Sequence, residues 1–65
     1  MNIESALITA GVKNLKEFGY PSVTNENILT DQVYKMFFES MLKDNKGQDT
    51  QVDKVINGLL SKLAT

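Results

Sequence analysis

The segment from Val33 to Leu42 carries large apolar residues around most of a helix circumference. At about 100° per residue, these residues cover roughly 240° of the helix surface, whereas a helix with one buried face needs only about 100°. Such a helix must be surrounded on most sides, either by the rest of its own chain or by a second protein. The segment therefore limits the possible folds and is also the main indication of function.

The size of the chain favours association with a partner. We expect residues 1–65 to form a single domain. A domain of about 60 residues buries only about 60% of the surface that its unfolded chain exposes, and many such domains are stabilised by disulfides, a metal or a partner. The chain has no Cys, which excludes a disulfide, and no His. The composition therefore leaves association with a partner as the remaining way to stabilise so small a fold.

Apolar residues recur at helical spacing in three segments, and no long stretch alternates in the manner of a strand. We predict helices over residues 2–18, 31–46 and 50–64. Gly19 is placed to end the first helix in a left-handed conformation, and Gly47 is placed to end the second. The expected fold is all-α, a small three-helix bundle in which the second helix lies between the other two.

The residues that begin each helix can also be predicted. Thr24 is a candidate N-cap for a short helical turn over residues 24–29. The apolar residues of that turn would fall on the polar side of the second helix if the two were continuous. We therefore expect a break near Thr30, which then caps the second helix. Thr50 is a candidate cap for the third helix, with Asp49 as its competitor.

The residue types that most often perform catalysis are missing. Without His or Cys, only Ser–Lys pairs and carboxylates remain for nucleophilic or acid–base chemistry. Two Ser–Lys pairs lie on exposed helical stretches, where water keeps the amine protonated. Three aspartates near the second interhelical loop lack the spacing of a calcium site: Asp44, Asp49 and Asp53. We predict no enzymatic activity, no metal site, no cofactor and no small-molecule substrate.

The charge pattern gives little support for binding to nucleic acid or to a membrane. Seven Lys are balanced by eight acidic residues, Arg is absent, and the net charge is -1. No apolar stretch approaches the roughly 20 residues that span a bilayer, and no signal peptide is recognisable, so we expect a cytoplasmic protein. The alternative function is that of a minimal helix-turn-helix-like DNA-binding regulator, with Lys54 and Lys62 of the third helix contacting phosphates.

The apolar arc of the second helix supplies the candidate partner surface. Phe37 and Met41 lie at its centre and are predicted to be core. Phe38 and Leu42 lie on its flank, where we expect them to stay exposed and to form an apolar patch with Tyr20. The predicted partner-binding residues are Tyr20, Tyr34, Phe38 and Leu42. We expect them to contact another protein or a second copy of the chain, as in a regulatory or accessory factor or a self-associating module.

Overall fold

The computed structural model describes residues 2–65, which form three α-helices and one short 3₁₀ helix, with no strand among them. The helices are α1 (Ile3–Glu17), α2 (Gln32–Asp44) and α3 (Thr50–Leu63), and the 3₁₀ helix (Asn27–Leu29) precedes α2. The predicted all-α three-helix bundle is confirmed, and the predicted helix ends agree with the structure to within two residues. In this part of the chain, no helix has both the length and the apolar character needed to cross a membrane.

Aspartate side chains determine where α2 and α3 begin. The Asp31 carboxylate accepts two backbone N–H bonds of the first turn of α2, at 2.9 and 3.1 Å. The Asp49 carboxylate does the same for α3, at 2.8 and 3.2 Å. Each carboxylate satisfies otherwise unpaired N–H groups and lies at the positive end of the helix dipole. The N-cap of α2 is therefore one residue later than the predicted Thr30, and Asp49 caps α3 in preference to Thr50.

Gly19 ends α1 as the sequence predicts, whereas Asn45 caps α2 and Gly47 lies two residues beyond it, in the loop before α3. Gly19 has a φ of 104° and Gly47 a φ of 95°, a conformation that residues with a Cβ rarely adopt. After α1, the Tyr20 N–H donates to the Leu15 carbonyl oxygen at 3.1 Å, which completes a Schellman motif. This turn directs the chain back along the bundle and brings Tyr20 towards α2.

The connector between α1 and α2 is ordered by reciprocal hydrogen bonds. The Asn27 N–H donates to Thr24 Oγ1 at 3.0 Å, and the Thr24 N–H donates to Asn27 Oδ1 at 2.7 Å. The Asn27 amide also donates to the Ser22 carbonyl oxygen at 3.0 Å. These bonds fix the backbone so that Val23 and Ile28 are both buried. The connector is thus part of the core.

The core draws on every element of the bundle. Its buried apolar side chains are Leu15, Val23, Ile28, Phe38, Leu42, Ile56, Leu59 and Leu63. Each of the three helices packs against the other two. The prediction that the second helix lies between the others is therefore wrong, because α1 and α3 also contact each other.

Two of the predicted partner-binding residues, Phe38 and Leu42, belong to this core, with exposed fractions of 1% and 0%. The expectation that they form an exposed patch is wrong. The physical reason lies on α1, where Gly11 presents bare backbone. A Cβ at Gly11 would lie 2.7 Å from Phe38 Cδ1 and 2.9 Å from Ile28 Cδ1. The Phe38 ring therefore packs directly on the backbone of α1. This contact turns the side of α2 that carries Phe38 towards the core.

Candidate functional site

Among residues 2–65, four large apolar side chains remain exposed. Their exposed fractions are 73% for Phe18, 48% for Val33, 71% for Met36 and 38% for Phe37. Val33, Met36 and Phe37 are neighbours on one side of α2, because residues three and four positions apart lie together on a helix. The Phe18 ring, at the end of α1, lies 6.0 Å from the Phe37 ring. These four residues form one continuous surface, which we call the apolar face.

The rotation of α2 explains why this surface differs from the predicted one. Phe37 and Met41 were predicted to be core, but Phe38 and Leu42 occupy the buried positions instead. The inward direction of α2 is therefore shifted by one residue, or about 100° around the helix axis. Phe37 consequently lies at the surface, and Met41 is only partly buried against the core. The shift leaves Val33 and Met36 in solvent.

Tyr20 and Tyr34, the other two predicted site residues, lie beside the apolar face. The Tyr20 ring is 5.4 Å from the Phe37 ring and 5.9 Å from the Tyr34 ring, the latter in an edge-on arrangement. Both tyrosines are half-buried and pack against the core. The structure thus brings these two residues together, but it separates them from Phe38 and Leu42, which lie in the interior.

A groove runs between α1 and α2 next to the apolar face. It has a volume of about 290 Å³. Its lining residues are Gly11, Asn14, Leu15, Phe18, Phe37, Phe38, Ser40, Met41 and Asp44. Cavities that hold small-molecule ligands usually measure about 300–1,000 Å³, so this groove is at the lower limit for such a ligand. Its size and apolar lining are better suited to a protruding side chain.

The polar groups of the groove lie at its edges. The Asn14 amide nitrogen is 3.3 Å from Met41 Sδ, to which it donates a hydrogen bond. A thioether sulfur is a weak hydrogen-bond acceptor. The Asn14 amide can therefore donate to a stronger acceptor when one is present. Ser40 and Asp44 are exposed on the α2 side. The groove therefore combines an apolar floor with a few hydrogen-bonding groups at its edges.

Two exposed ion pairs engage some of the charges on α2 and α3. Lys43 Nζ lies 3.0 Å from Glu39 Oε1, one turn away on α2. Lys62 Nζ lies 3.5 Å from Glu4 Oε1, which joins α3 to the start of α1. Both pairs are exposed, and exposed pairs contribute little to stability. In the described part of the chain, no three acidic side chains are grouped so as to hold a metal ion.

Sequence reasoning missed Phe18, Val33 and Met36 as surface residues. A signal was present for Met36, because the sequence places it about 60° away from the rest of the apolar arc, on the side shared with Glu39 and Lys43. A large apolar residue in such polar surroundings is a candidate for an interface. No comparable signal marks Phe18, because its exposure depends on where the chain turns after α1.

Comparisons of the chain with protein-family models, with curated proteins and with solved structures return no match. No relative therefore assigns a role to any residue.

Proposed function

We propose that this chain is a non-catalytic module that binds protein through its apolar face. The proposal rests mainly on the exposure of Phe18 and Met36, each more than two-thirds in solvent and both on one continuous surface. Contiguous apolar patches on small proteins often mark sites of interaction. The proposal retains the expectations of a cytoplasmic location and of no cofactor.

The residue types of the apolar face support this function. The centres of protein interfaces are enriched in aromatic residues and Met and are depleted of charge. The face consists of two Phe, one Met and one Val, with the half-buried Tyr20 at its border. The Phe37 ring contacts the rings of both Phe18 and Tyr20, which restrict its motion. An ordered ring loses little conformational entropy when a partner binds, which favours affinity.

The same surface properties give less support to the alternative, a DNA-binding regulator that uses α3. Such a protein needs free cations for phosphate contacts. The Lys62 ammonium lies 3.5 Å from the Glu4 carboxylate, whose negative charge opposes phosphate there, Arg is absent, and the net charge is -1. Lys54 and Asn57 are exposed on α3, but two such residues provide little affinity for phosphate. Protein binding is therefore the preferred function.

Site-specific photo-crosslinking in the cells that produce the protein tests this function. A photoreactive phenylalanine analogue replaces Met36 in one variant and Asn57 in a control. Both positions are exposed, but Asn57 lies on α3 and outside the apolar face. We expect a crosslinked protein adduct from position 36 and none from position 57. Comparable adducts from both positions, or none from position 36, would contradict the proposed function.

The mass of the adduct identifies the class of partner. An adduct of twice the mass of the chain indicates a second copy, and any other mass indicates a different protein. Either result supports protein binding through the apolar face. An adduct with DNA from position 57 would instead favour the alternative function.

A further inference from the structure

We infer that the occupant of the apolar face is a second copy of the chain, in a two-fold symmetric dimer in which Met36 of each copy enters the α1–α2 groove of the other. This inference rests on the proposed function and specifies its partner. It is carried by the shape, the area and the charge of the surface.

The shape of the surface is complementary to itself. In a two-fold dimer both copies use the same patch, so any protruding residue must fit a recess within that patch. Met36 is the most exposed residue of α2 on this face. The groove is lined by Phe37, Ser40 and Met41 on the α2 side, of which Phe37 follows Met36 directly and Ser40 lies one turn after it. The protruding Met36 side chain and an apolar recess thus lie next to each other in one patch, as a two-fold contact requires.

The area of the apolar face matches what a stable dimer needs. Taking about 200 Å² for a fully exposed aromatic or Met side chain, the exposed fractions correspond to roughly 400 Å² of apolar surface per copy. A standard interface buries about 800 Å² per partner, of which about 57% is apolar, or roughly 450 Å². The four side chains therefore supply nearly all the apolar area of such an interface, and the polar border supplies the rest.

The charges permit two copies to meet at this surface. A net charge of -1 gives only weak repulsion between copies. The four residues of the apolar face carry no ionisable side chain, and Glu39 and Lys43, which share the Met36 side of α2, are paired with each other at 3.0 Å. At its border, the Asn14 amide donates to the Met41 sulfur as its one acceptor among residues 2–65, and it can also donate across the interface. Asp44 lies on the exposed side of α2, at an edge where it can keep its water.

Sedimentation equilibrium over micromolar to millimolar concentrations tests the dimer. The wild-type mass should rise from 7.3 kDa towards twice that value. Met36→Glu places a charge in the contact without disturbing the core, and we expect it to raise the dissociation constant at least about tenfold. Asn57→Glu adds the same charge on α3 and should associate as the wild type does. A wild type of 7.3 kDa throughout, or a Met36→Glu variant that still associates normally, would overturn the inference.

Disulfide trapping provides a second, independent readout. Because the chain has no Cys, a single introduced thiol can pair only with its counterpart in another copy. Ser40 lies one turn from Met36 and lines the groove, so the proposed exchange of Met36 side chains brings the two Ser40 residues close to the two-fold axis. Ser40→Cys should form a covalent dimer under mild oxidation, whereas Asn57→Cys should remain monomeric. Equal yields from both variants would overturn the two-fold arrangement, while an adduct with another protein in the photo-crosslinking experiment would still support the proposed function.

Discussion

Gly11 and Gly58 both lie inside helices, but their surroundings are opposite. A Cβ at Gly11 would collide with the Phe38 ring and the end of Ile28, both of which are buried. A Cβ at Gly58 would meet no atom of residues 2–65 within 4 Å. Glycine destabilises a helix interior by about 1 kcal/mol relative to Ala. At Gly11 the close packing of α1 on α2 compensates for this cost, whereas nothing in the structure explains Gly58.

Replacing each of these glycines by Ala should therefore change stability in opposite directions. Gly11→Ala should destabilise the protein by about 1–3 kcal/mol, because its Cβ would overlap the Phe38 ring, so that the ring or α1 must shift from its packed position. Gly58→Ala should stabilise it by about 1 kcal/mol through helix propensity alone. Urea denaturation of the two variants and the wild type measures both changes. Stabilisation by Gly11→Ala would mean that α1 and α2 do not pack as described.

At the scale of the elements, the helix ends could be predicted from the sequence, whereas the buried side of α2 could not. Helix ends depend on a few adjacent residues, such as the left-handed Gly19 and the Asp49 cap. The buried side of α2 depends on distant residues. Large apolar side chains surround most of that helix, so several rotations would bury similar area. The bare backbone at Gly11, 27 positions before Phe38, selects among them.

The candidate site was predicted only in part for the same reason. Tyr20 and Tyr34 lie where the connector meets α2, as their positions in the sequence suggest; Tyr20 contacts Phe37 of the apolar face, and Tyr34 contacts Tyr20. The sequence predicts Phe38 and Leu42 at the surface, because the predicted rotation of α2 about its own axis differs from the observed one by one residue, or about 100°. With the observed rotation, Phe37 lies at the surface in place of Phe38, and Met36 is exposed. The error in the rotation of this one helix thus explains why two of the four predicted site residues, Phe38 and Leu42, lie in the core.

The adjacent pair Phe37 and Phe38 tests this rotation directly. Phe38→Ala should destabilise the protein by about 3–5 kcal/mol, because it leaves a cavity in the core. Phe37→Ala should cost only about 1 kcal/mol, because it loses contacts with Phe18 and Tyr20 at a partly exposed position. Denaturation at a low protein concentration, at which the chain is monomeric, separates these effects from association. Equal costs, or a larger cost for Phe37→Ala, would show that α2 has the opposite rotation.

At the scale of the whole molecule, the apolar face accounts for how a chain of 65 residues supplements its small core. No disulfide is possible, and the exposed ion pairs add little. Covering Phe18, Val33, Met36 and Phe37 with a second copy would bury additional apolar surface that the bundle alone leaves in water. Folding and association are then linked, because a ligand that binds only the folded state stabilises that state by mass action.

The melting temperature as a function of protein concentration tests this linkage most directly. If a second copy covers the apolar face, the wild-type Tm should rise by about 5 °C or more over a hundredfold increase in concentration. The Tm of Met36→Glu should not change over the same range, because its folded state gains nothing from a second copy, and Asn57→Glu should behave as the wild type does. A wild-type Tm that is independent of concentration, or an equal rise in Met36→Glu, would contradict dimerisation through the apolar face.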